Sequence, residues 1–115
     1  GPGERLREAA GQQRVVLAKW LERRPEILIL DGPTIGVDVG AKQEIHQIIK
    51  KLAESGMGII MISDEVAEVV AYSHRILVMR DGRISAEFDA ARTSESEVLQ
   101  ELSTRAENQR GACLR

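Results

Sequence analysis

The sequence predicts an α/β fold, in which a partial parallel sheet with flanking helices is followed by a C-terminal hairpin. The first observation is the short apolar run 27–30, which ends at Asp31 and whose length and β-branched content are typical of a buried strand. A second apolar run, 58–63, follows a helical segment, and a connection of that length indicates a right-handed parallel unit. The third observation is Asp81-Gly82 between two further apolar runs, which is typical of a tight hairpin turn.

Composition limits the chain to one domain at most with an aliphatic core. Its 115 residues are 43% hydrophobic but only 3% aromatic. The net charge of -2, from 16 basic and 18 acidic residues, gives no reason to expect nucleic-acid binding or a polybasic membrane anchor. The single cysteine, Cys113, excludes an internal disulfide. No apolar run approaches the roughly 20 residues that span a bilayer, so we expect any membrane role to depend on a partner.

Two longer helices are predicted around the first strand. Apolar residues recur at helical spacing over 4–24, and Pro25 ends that helix. Asp38 precedes the second helix, where an aspartate N-cap is worth about 1 kcal/mol, and Ser55-Gly56 ends it. The residues predicted to face inward from this helix are aliphatic and helically spaced: Ile45, Ile48, Ile49 and Leu52.

The C-terminal half is predicted to contain two shorter helices and the hairpin. Asp64 is expected to cap the first of these helices. The run 75–80 is expected to form a third parallel strand and 83–88 its antiparallel return strand. Ser94 and Glu97 have the spacing of a capping box for a last helix.

Asp31 is the first candidate functional residue. A carboxylate at the carboxyl end of a buried parallel strand lies where open α/β sheets bind ligands, and it can hold a magnesium ion through water beside nucleotide phosphates. An aspartate that ends a strand can also form a turn or cap a helix. Asp64-Glu65 end the next strand, so a magnesium site of converging carboxylates, as in receiver domains or small phosphohydrolases, is an alternative from a different class.

Three blocks of sequence resemble the ATP-binding subunits of sugar-importing ABC transporters. They are QQRVVLAKW at 12–20, EILILDGPTIGVDVG at 26–40 and RILVMRDGR at 75–83. More narrowly, about residues 8–102 are similar to the last part of the second nucleotide-binding half of the duplicated ribose/galactose/xylose type. The resemblance implies a partial P-loop NTPase-like (ABC ATPase) sheet, with ATP and Mg²⁺ as cofactors of the complete parent.

The resemblance also implies a set of site residues. It makes Asp31 the Walker-B aspartate that holds the magnesium water shell, and therefore the metal ligand of this set. It places Asp38 in the D-loop, which faces the partner nucleotide-binding half. Gln12 and Gln13 directly follow the signature loop, and with the two aspartates they complete the implied nucleotide-binding set.

Several motifs of the family are altered or missing. Gly32 occupies the position of the catalytic glutamate and can neither accept a proton nor orient water. The signature LSGGNQQ is replaced by REAAGQQ at 7–13, where Glu8 brings a negative charge toward a phosphate. Asp64 stands where most ABC ATPases have the switch histidine, and no G-x-x-x-x-G-K-[ST] phosphate loop is present. We therefore expect no catalytic residue and no bound cofactor in this chain alone.

The expected organisation is that of a fragment. We interpret residues 1–3 as a candidate tag remnant, 4–104 as the C-terminal portion of an ABC nucleotide-binding domain, and 105–115 as a disordered tail. The implied parent function is ATP-driven import of a monosaccharide-like solute. The implied location of the subunit is cytoplasmic, on the inner face of the plasma membrane through the permease. The implied partners are the remainder of the ATP-binding subunit and the membrane permease subunits.

Two further interpretations concern partners. Without the strand that leads into the phosphate loop, a sheet edge would be uncovered, and self-association through that edge is expected. A non-catalytic interaction module, which assembles through this edge, is the third functional interpretation.

Overall fold

The computed structural model describes residue 11 and residues 15–103, and every structural statement below refers to them. The chain divides into two compact units, Gly1–Asp64 and Glu65–Arg115, each with its own two-stranded sheet. Each unit has a separate hydrophobic core.

The first unit is a parallel strand pair joined through a helix. β1 (Ile27–Asp31) pairs in parallel with β2 (Gly58–Ile62). Helix α1 covers 15–23 in the described residues, and α2 (Val39–Glu54) connects the two strands. The connection must be this long because parallel neighbours cannot be joined by a tight turn. The predicted strand–helix–strand unit is confirmed.

The core of the first unit lies on one face of this strand pair. Leu28 of β1 is buried there against Leu17 of α1 and the inner stripe of α2. Ile45 and Leu52 of α2 are completely inaccessible to solvent. The buried members of this core are Leu17, Leu28, Val37, Ile45, Ile49, Leu52 and Met57. The helical spacing in the sequence thus correctly identifies the buried side of α2.

Both helices of this unit end near the predicted residues. Arg24 follows α1 with a φ of 48°, and its amide donates to the carbonyl of Trp20 at 2.9 Å. Arg24 thus ends the helix in the left-handed conformation, which is common for the residue that follows a helix C-terminus. At the end of α2, Ser55 is the C-cap and Gly56 has a φ of 97°, which only glycine adopts without strain.

The second unit is an antiparallel hairpin packed against short helices. β3 (Arg75–Arg80) pairs with β4 (Arg83–Asp89), with a register shift between Val78 and Met79. α3 (Val66–Tyr72) precedes the hairpin, and a 3-10 turn (Ala90–Arg92) and helix α4 (95–103) follow it. The buried centre consists of Ile76, Val78 and Val98, and the side chains packed around it are Val66, Val69, Val70, Ala86, Phe88, Ala90 and Leu102.

Two local predictions for this unit are wrong. β3 is not a third parallel strand, since among the described residues it pairs with β4 alone and the parallel sheet contains β1 and β2. Its apolar run is compatible with either pairing, and the tight turn after it supplies an antiparallel partner. Asp64 does not cap α3, because Glu65 is the N-cap and makes no side-chain cap hydrogen bond. Asp64 therefore lies one residue too early to reach the free amides of the first turn.

The predicted capping box of α4 is half confirmed. The Ser94 hydroxyl accepts a hydrogen bond from the amide of Glu97 at 3.2 Å, as an N-cap serine does. The Glu97 carboxylate accepts from the Thr93 hydroxyl at 2.8 Å instead of returning to the Ser94 amide. Arg80 of β3 donates to the carbonyl of Leu102 at 2.9 Å and so holds the other end of α4.

The hairpin turn provides a test of backbone preference. Asp81 and Gly82 have φ values of 51° and 75°, the pattern of a type I′ turn. A Cβ at position 82 would meet no atom within 4 Å, so Gly82→Ala strains the backbone alone. We expect thermal denaturation to show a loss of about 1 kcal/mol in unfolding free energy. Gly40→Ala, in the first turn of α2, where an added Cβ would lie 3.6 Å from Oδ1 of Asp38, is the control and should not lower stability, because the backbone there is helical. Equal losses in both variants would contradict this account.

Candidate functional site

Asp31 lies at the carboxyl end of β1 with an exposed side chain. It is paired with Ile62, the last residue of β2. The amide of Gly32 donates to the carbonyl of Ile62 at 2.9 Å, so the ladder of the two strands continues one residue past Asp31. The backbone at Asp31 is therefore fixed, while its carboxylate faces solvent at the edge where both parallel strands end, the usual ligand-binding edge of such sheets.

A packed turn carries the chain from Asp31 to α2. Thr34 and Val37 of this turn are buried. The amide of Ile35 donates to the carbonyl of Gly32 at 3.2 Å, and that of Val37 donates to the carbonyl of Thr34 at 3.3 Å. The two left-handed positions, with φ values of 59° and 75°, are occupied by Gly32 and Gly36. The turn is thus a defined structure in which glycine is placed where the backbone requires it.

The backbone at Gly32 disfavours any residue with a side chain. Its φ of 59° lies in the left-handed region that L-residues rarely adopt. A Cβ built there would overlap Cδ1 of Ile35, although that atom is the far end of a flexible side chain. The main obstacle to a larger residue is therefore the backbone conformation.

Asp38 is the N-cap of α2, as the sequence predicts. Its Oδ1 accepts a hydrogen bond from the amide of Ala41 at 2.8 Å, and its φ and ψ of -71° and 166° are extended. The side chain is exposed, and so are Ile35 in the preceding turn and Val39 directly after it. Capping engages one carboxylate oxygen and leaves Asp38 on the surface beside apolar side chains.

Asp31 offers magnesium one carboxylate. In 15–103, no group of three or more His, Cys, Asp or Glu side chains gathers in a way that could hold a metal ion. Magnesium commonly takes one or two carboxylates and completes its coordination with water and substrate phosphates. An exposed carboxylate at a strand end, such as that of Asp31, has the chemistry that such a ligand needs.

Other predicted site residues cannot be placed. Gln12 and Gln13, and with them the altered signature at 7–10, lie outside the described residues. The same is true of the candidate tag remnant at 1–3 and the predicted tail at 105–115. In the part of the chain that is described, no helix has the length and apolar character needed to cross a membrane.

Sequence reasoning missed a feature next to Asp31. The apolar runs of β1 and β2 predict strands buried on both faces. Instead, four isoleucines on the face away from the helices are half to two-thirds exposed: Ile27, Ile29, Ile60 and Ile62. The sequence could not reveal which face is exposed, because apolar residues occupy both faces of each strand and leave no alternation of apolar and polar residues.

Comparison with solved structures defines the class of protein. A post-hydrolysis dimer of an ATP-binding cassette bound to ADP and Pi matches with a TM-score of 0.60 and 29% identity, over 70% of this chain and 35% of that chain. A dimeric bacterial ABC transporter cassette matches with the same TM-score, identity and coverage. The ATP-binding subunit of an ABC transporter, at 22% identity and a TM-score of 0.59, shows the same fold. The chain has the fold of part of an ABC ATPase cassette.

Sequence relatives narrow the class to a family. The xylose import ATP-binding protein of Geobacillus kaustophilus is 53% identical over 88 residues, which cover 76% of this chain and 18% of the relative. The galactose/methyl galactoside import ATP-binding protein of Mannheimia succiniciproducens is 52% identical over 89 residues, which cover 77% of this chain and 18% of the relative. A ribose import ATP-binding protein of Mesorhizobium japonicum is 52% identical over 88 residues, which cover 76% of this chain and 17% of the relative. The chain belongs to the ATP-binding subunits of sugar-importing ABC transporters, as a part that spans less than a fifth of these relatives. No protein-family model matches it.

Two substitutions separate the capping hydrogen bond of Asp38 from the negative charge of its side chain. Asp38→Ala removes the hydrogen bond to the Ala41 amide, and we expect the unfolding free energy to fall by about 1 kcal/mol in chemical denaturation. Asp38→Asn keeps an oxygen in place and should lose only a few tenths of a kcal/mol, since asparagine caps as well as aspartate. If Asp38→Asn were as destabilising as Asp38→Ala, the negative charge and not the cap would hold this end of α2.

Proposed function

We propose that this chain is a fragment of the ATP-binding subunit that powers ATP-driven import of a monosaccharide-like solute. The observation that carries this proposal is an identity of 52–53% over 88–89 aligned residues to proteins named for xylose, galactose/methyl galactoside and ribose import. Because the same stretch matches proteins named for three different sugars, it supports the class of solute and not one member of it.

In the complete subunit, Asp31 holds the water shell of a magnesium ion beside the nucleotide phosphates. Magnesium there neutralises charge on the phosphate oxygens. The exposed carboxylate at the end of β1 supports this role, since its backbone is fixed by the bond from Gly32 to Ile62. Asp38 faces the partner nucleotide-binding half, and Gln12 and Gln13 follow the signature loop.

The chain alone does not hydrolyse ATP. The position after Asp31 is Gly32, which supplies no group that accepts a proton from water. The sequence also contains no phosphate loop to cradle a triphosphate, and its signature segment is altered. One carboxylate without a phosphate loop binds Mg²⁺ too weakly to retain the ion, and the chain therefore does not retain ATP either.

The partners follow from the parent subunit. They are the remainder of the ATP-binding subunit and the membrane permease subunits, which place the complex on the inner face of the plasma membrane. The nearly balanced charge, 16 basic against 18 acidic residues, gives no basis for a nucleic-acid partner.

A chimeric transporter tests this function. In it, this chain replaces the matching 89 residues of the Mannheimia succiniciproducens relative, in cells that lack their own galactose-type ATP-binding protein. We expect the chimera to assemble with the permease subunits at the membrane, since the segment supplies one strand end, turn and helix of the cassette, and to show reduced uptake of methyl galactoside, since Gly32 cannot orient water. A folded chimera that does not assemble with the permease would contradict the proposal.

The role of Asp31 is tested in the purified chimera. Asp31→Asn should weaken magnesium-dependent ATP binding by tenfold or more, about 1.4 kcal/mol, because it removes the charged ligand. Asp64→Asn, at the end of the neighbouring strand, is the matched control and should leave the affinity unchanged. Equal losses in both variants would favour a site of converging carboxylates over the single-ligand site.

A further inference from the structure

The sequence contains two Asp-Gly dipeptides, Asp31-Gly32 and Asp81-Gly82. In such a dipeptide the glycine amide nitrogen can attack the carboxyl carbon of the preceding aspartate, because glycine has no side chain to hinder the approach. The attack succeeds only where the aspartate backbone can rotate far enough to bring the two atoms together. The structure treats the two dipeptides differently in this respect.

The first dipeptide is held by the parallel strand pair. The amide of Gly32 donates to the carbonyl of Ile62 at 2.9 Å, so the nitrogen that would attack is already engaged in the ladder. The carbonyl of Gly32 accepts from the amide of Ile35 at 3.2 Å, and Pro33 after it is buried. Rotation of the Asp31 backbone would therefore break the ladder bond and displace a buried residue.

The second dipeptide forms the hairpin turn. The ladder of β3 and β4 ends at the pair of Arg80 and Arg83, so Asp81 and Gly82 lie outside it. In residues 15–103, the amide of Gly82 donates to no backbone carbonyl. An added Cβ at Gly82 would meet no atom within 4 Å. The attacking nitrogen is thus not held by the backbone, and there is room beside it for a five-membered ring.

We propose that Asp81-Gly82 is a site of spontaneous covalent modification, at which this chain converts aspartate to isoaspartate. The Gly82 nitrogen forms a bond to Cγ of Asp81, and a carboxyl C–O bond breaks. The hydroxyl leaves with the amide proton as water, and a cyclic succinimide remains. Water then opens the ring: attack at Cγ restores aspartate, and attack at the main-chain carbonyl carbon gives isoaspartate. The modification is independent of the proposed nucleotide site.

Isoaspartate lengthens the turn, because the backbone then runs through the methylene carbon of the Asp81 side chain. A two-residue type I′ turn fixes the register of the strands that it joins, so the longer turn does not fit the pair of Arg80 and Arg83. Arg80 also donates to the carbonyl of Leu102 at 2.9 Å, so a shift at this end of β3 reaches α4. The modification therefore alters the second unit and leaves the carboxylate of Asp31 unchanged.

Peptide mapping of the full chain tests the proposal. After prolonged incubation in native buffer, a glutamate-specific protease separates the two sites into peptides 69–87 and 27–44. Electron-transfer fragmentation distinguishes isoaspartate from aspartate, which has the same mass. We expect isoaspartate to accumulate in 69–87 at least about fivefold faster than in 27–44, the factor that corresponds to the ladder hydrogen bond of about 1 kcal/mol at Gly32.

Incubation in concentrated guanidinium chloride is the matched control. It removes the ladder bond at Gly32 and leaves both dipeptides in place, so the two peptides should then convert at similar rates. Asp81→Gly, which gives a Gly-Gly pair suited to a type I′ turn, should abolish the modification in 69–87.

Equal rates at the two sites of the folded chain would overturn the proposal, and so would a folded chain in which Asp81 stays unconverted. A difference that persists in guanidinium chloride would overturn it too, because neighbouring residues and not the fold would then set the rates.

Discussion

The structure of the first unit depends on the packing of α2 against one face of the β1–β2 pair. Ile45 and Leu52 are completely buried in this contact, and full burial of such a side chain is worth about 1.5–3 kcal/mol. Leu28 supplies the strand side of the contact and Leu17 the side of α1. A two-stranded sheet is only marginally stable by itself, so these helices are what hold β1 and β2 in register.

The same packing positions the candidate site. α2 begins at Asp38 and β1 ends at Asp31, so the turn between them is held at both ends by elements of one core. Val37 is buried in that core, which fixes the turn from inside. The positions of both aspartates are thus a consequence of how an apolar stripe on α2 fits the strand pair, even though neither side chain is part of the core.

The elements that depend on local signals could be predicted from the sequence. The end of β1 at Asp31, the cap at Asp38 and the turn at Asp81-Gly82 each follow from a residue type in a short context. The antiparallel pairing of β3 with β4 follows from that turn as well, whereas the predicted membership of β3 in the parallel sheet is wrong, because pairing with a distant strand has no local signal. The predicted cap of α3 at Asp64 is wrong, because the helix begins one residue later than its acidic residues suggest: Glu65 is the N-cap residue and makes no side-chain cap hydrogen bond.

Two properties of the candidate site are also beyond prediction from residue types. The sequence identifies the missing side chain at Gly32, but its left-handed φ of 59° depends on the turn that follows. The exposed face with Ile29 and Ile60 depends on which layers of the cassette are present, and a continuous apolar run does not carry that information. The exposed face agrees with a chain that forms only part of an ABC ATPase cassette.

The measurement that tests this account most directly is a calorimetric titration of the purified chain with magnesium-ATP. The account predicts no heat of binding, because the sequence contains no phosphate loop and residues 15–103 gather no group of three or more side chains that could hold a metal ion. Binding with micromolar affinity would contradict it, since the chain would then have to form a phosphate site from residues to which this account assigns no such role.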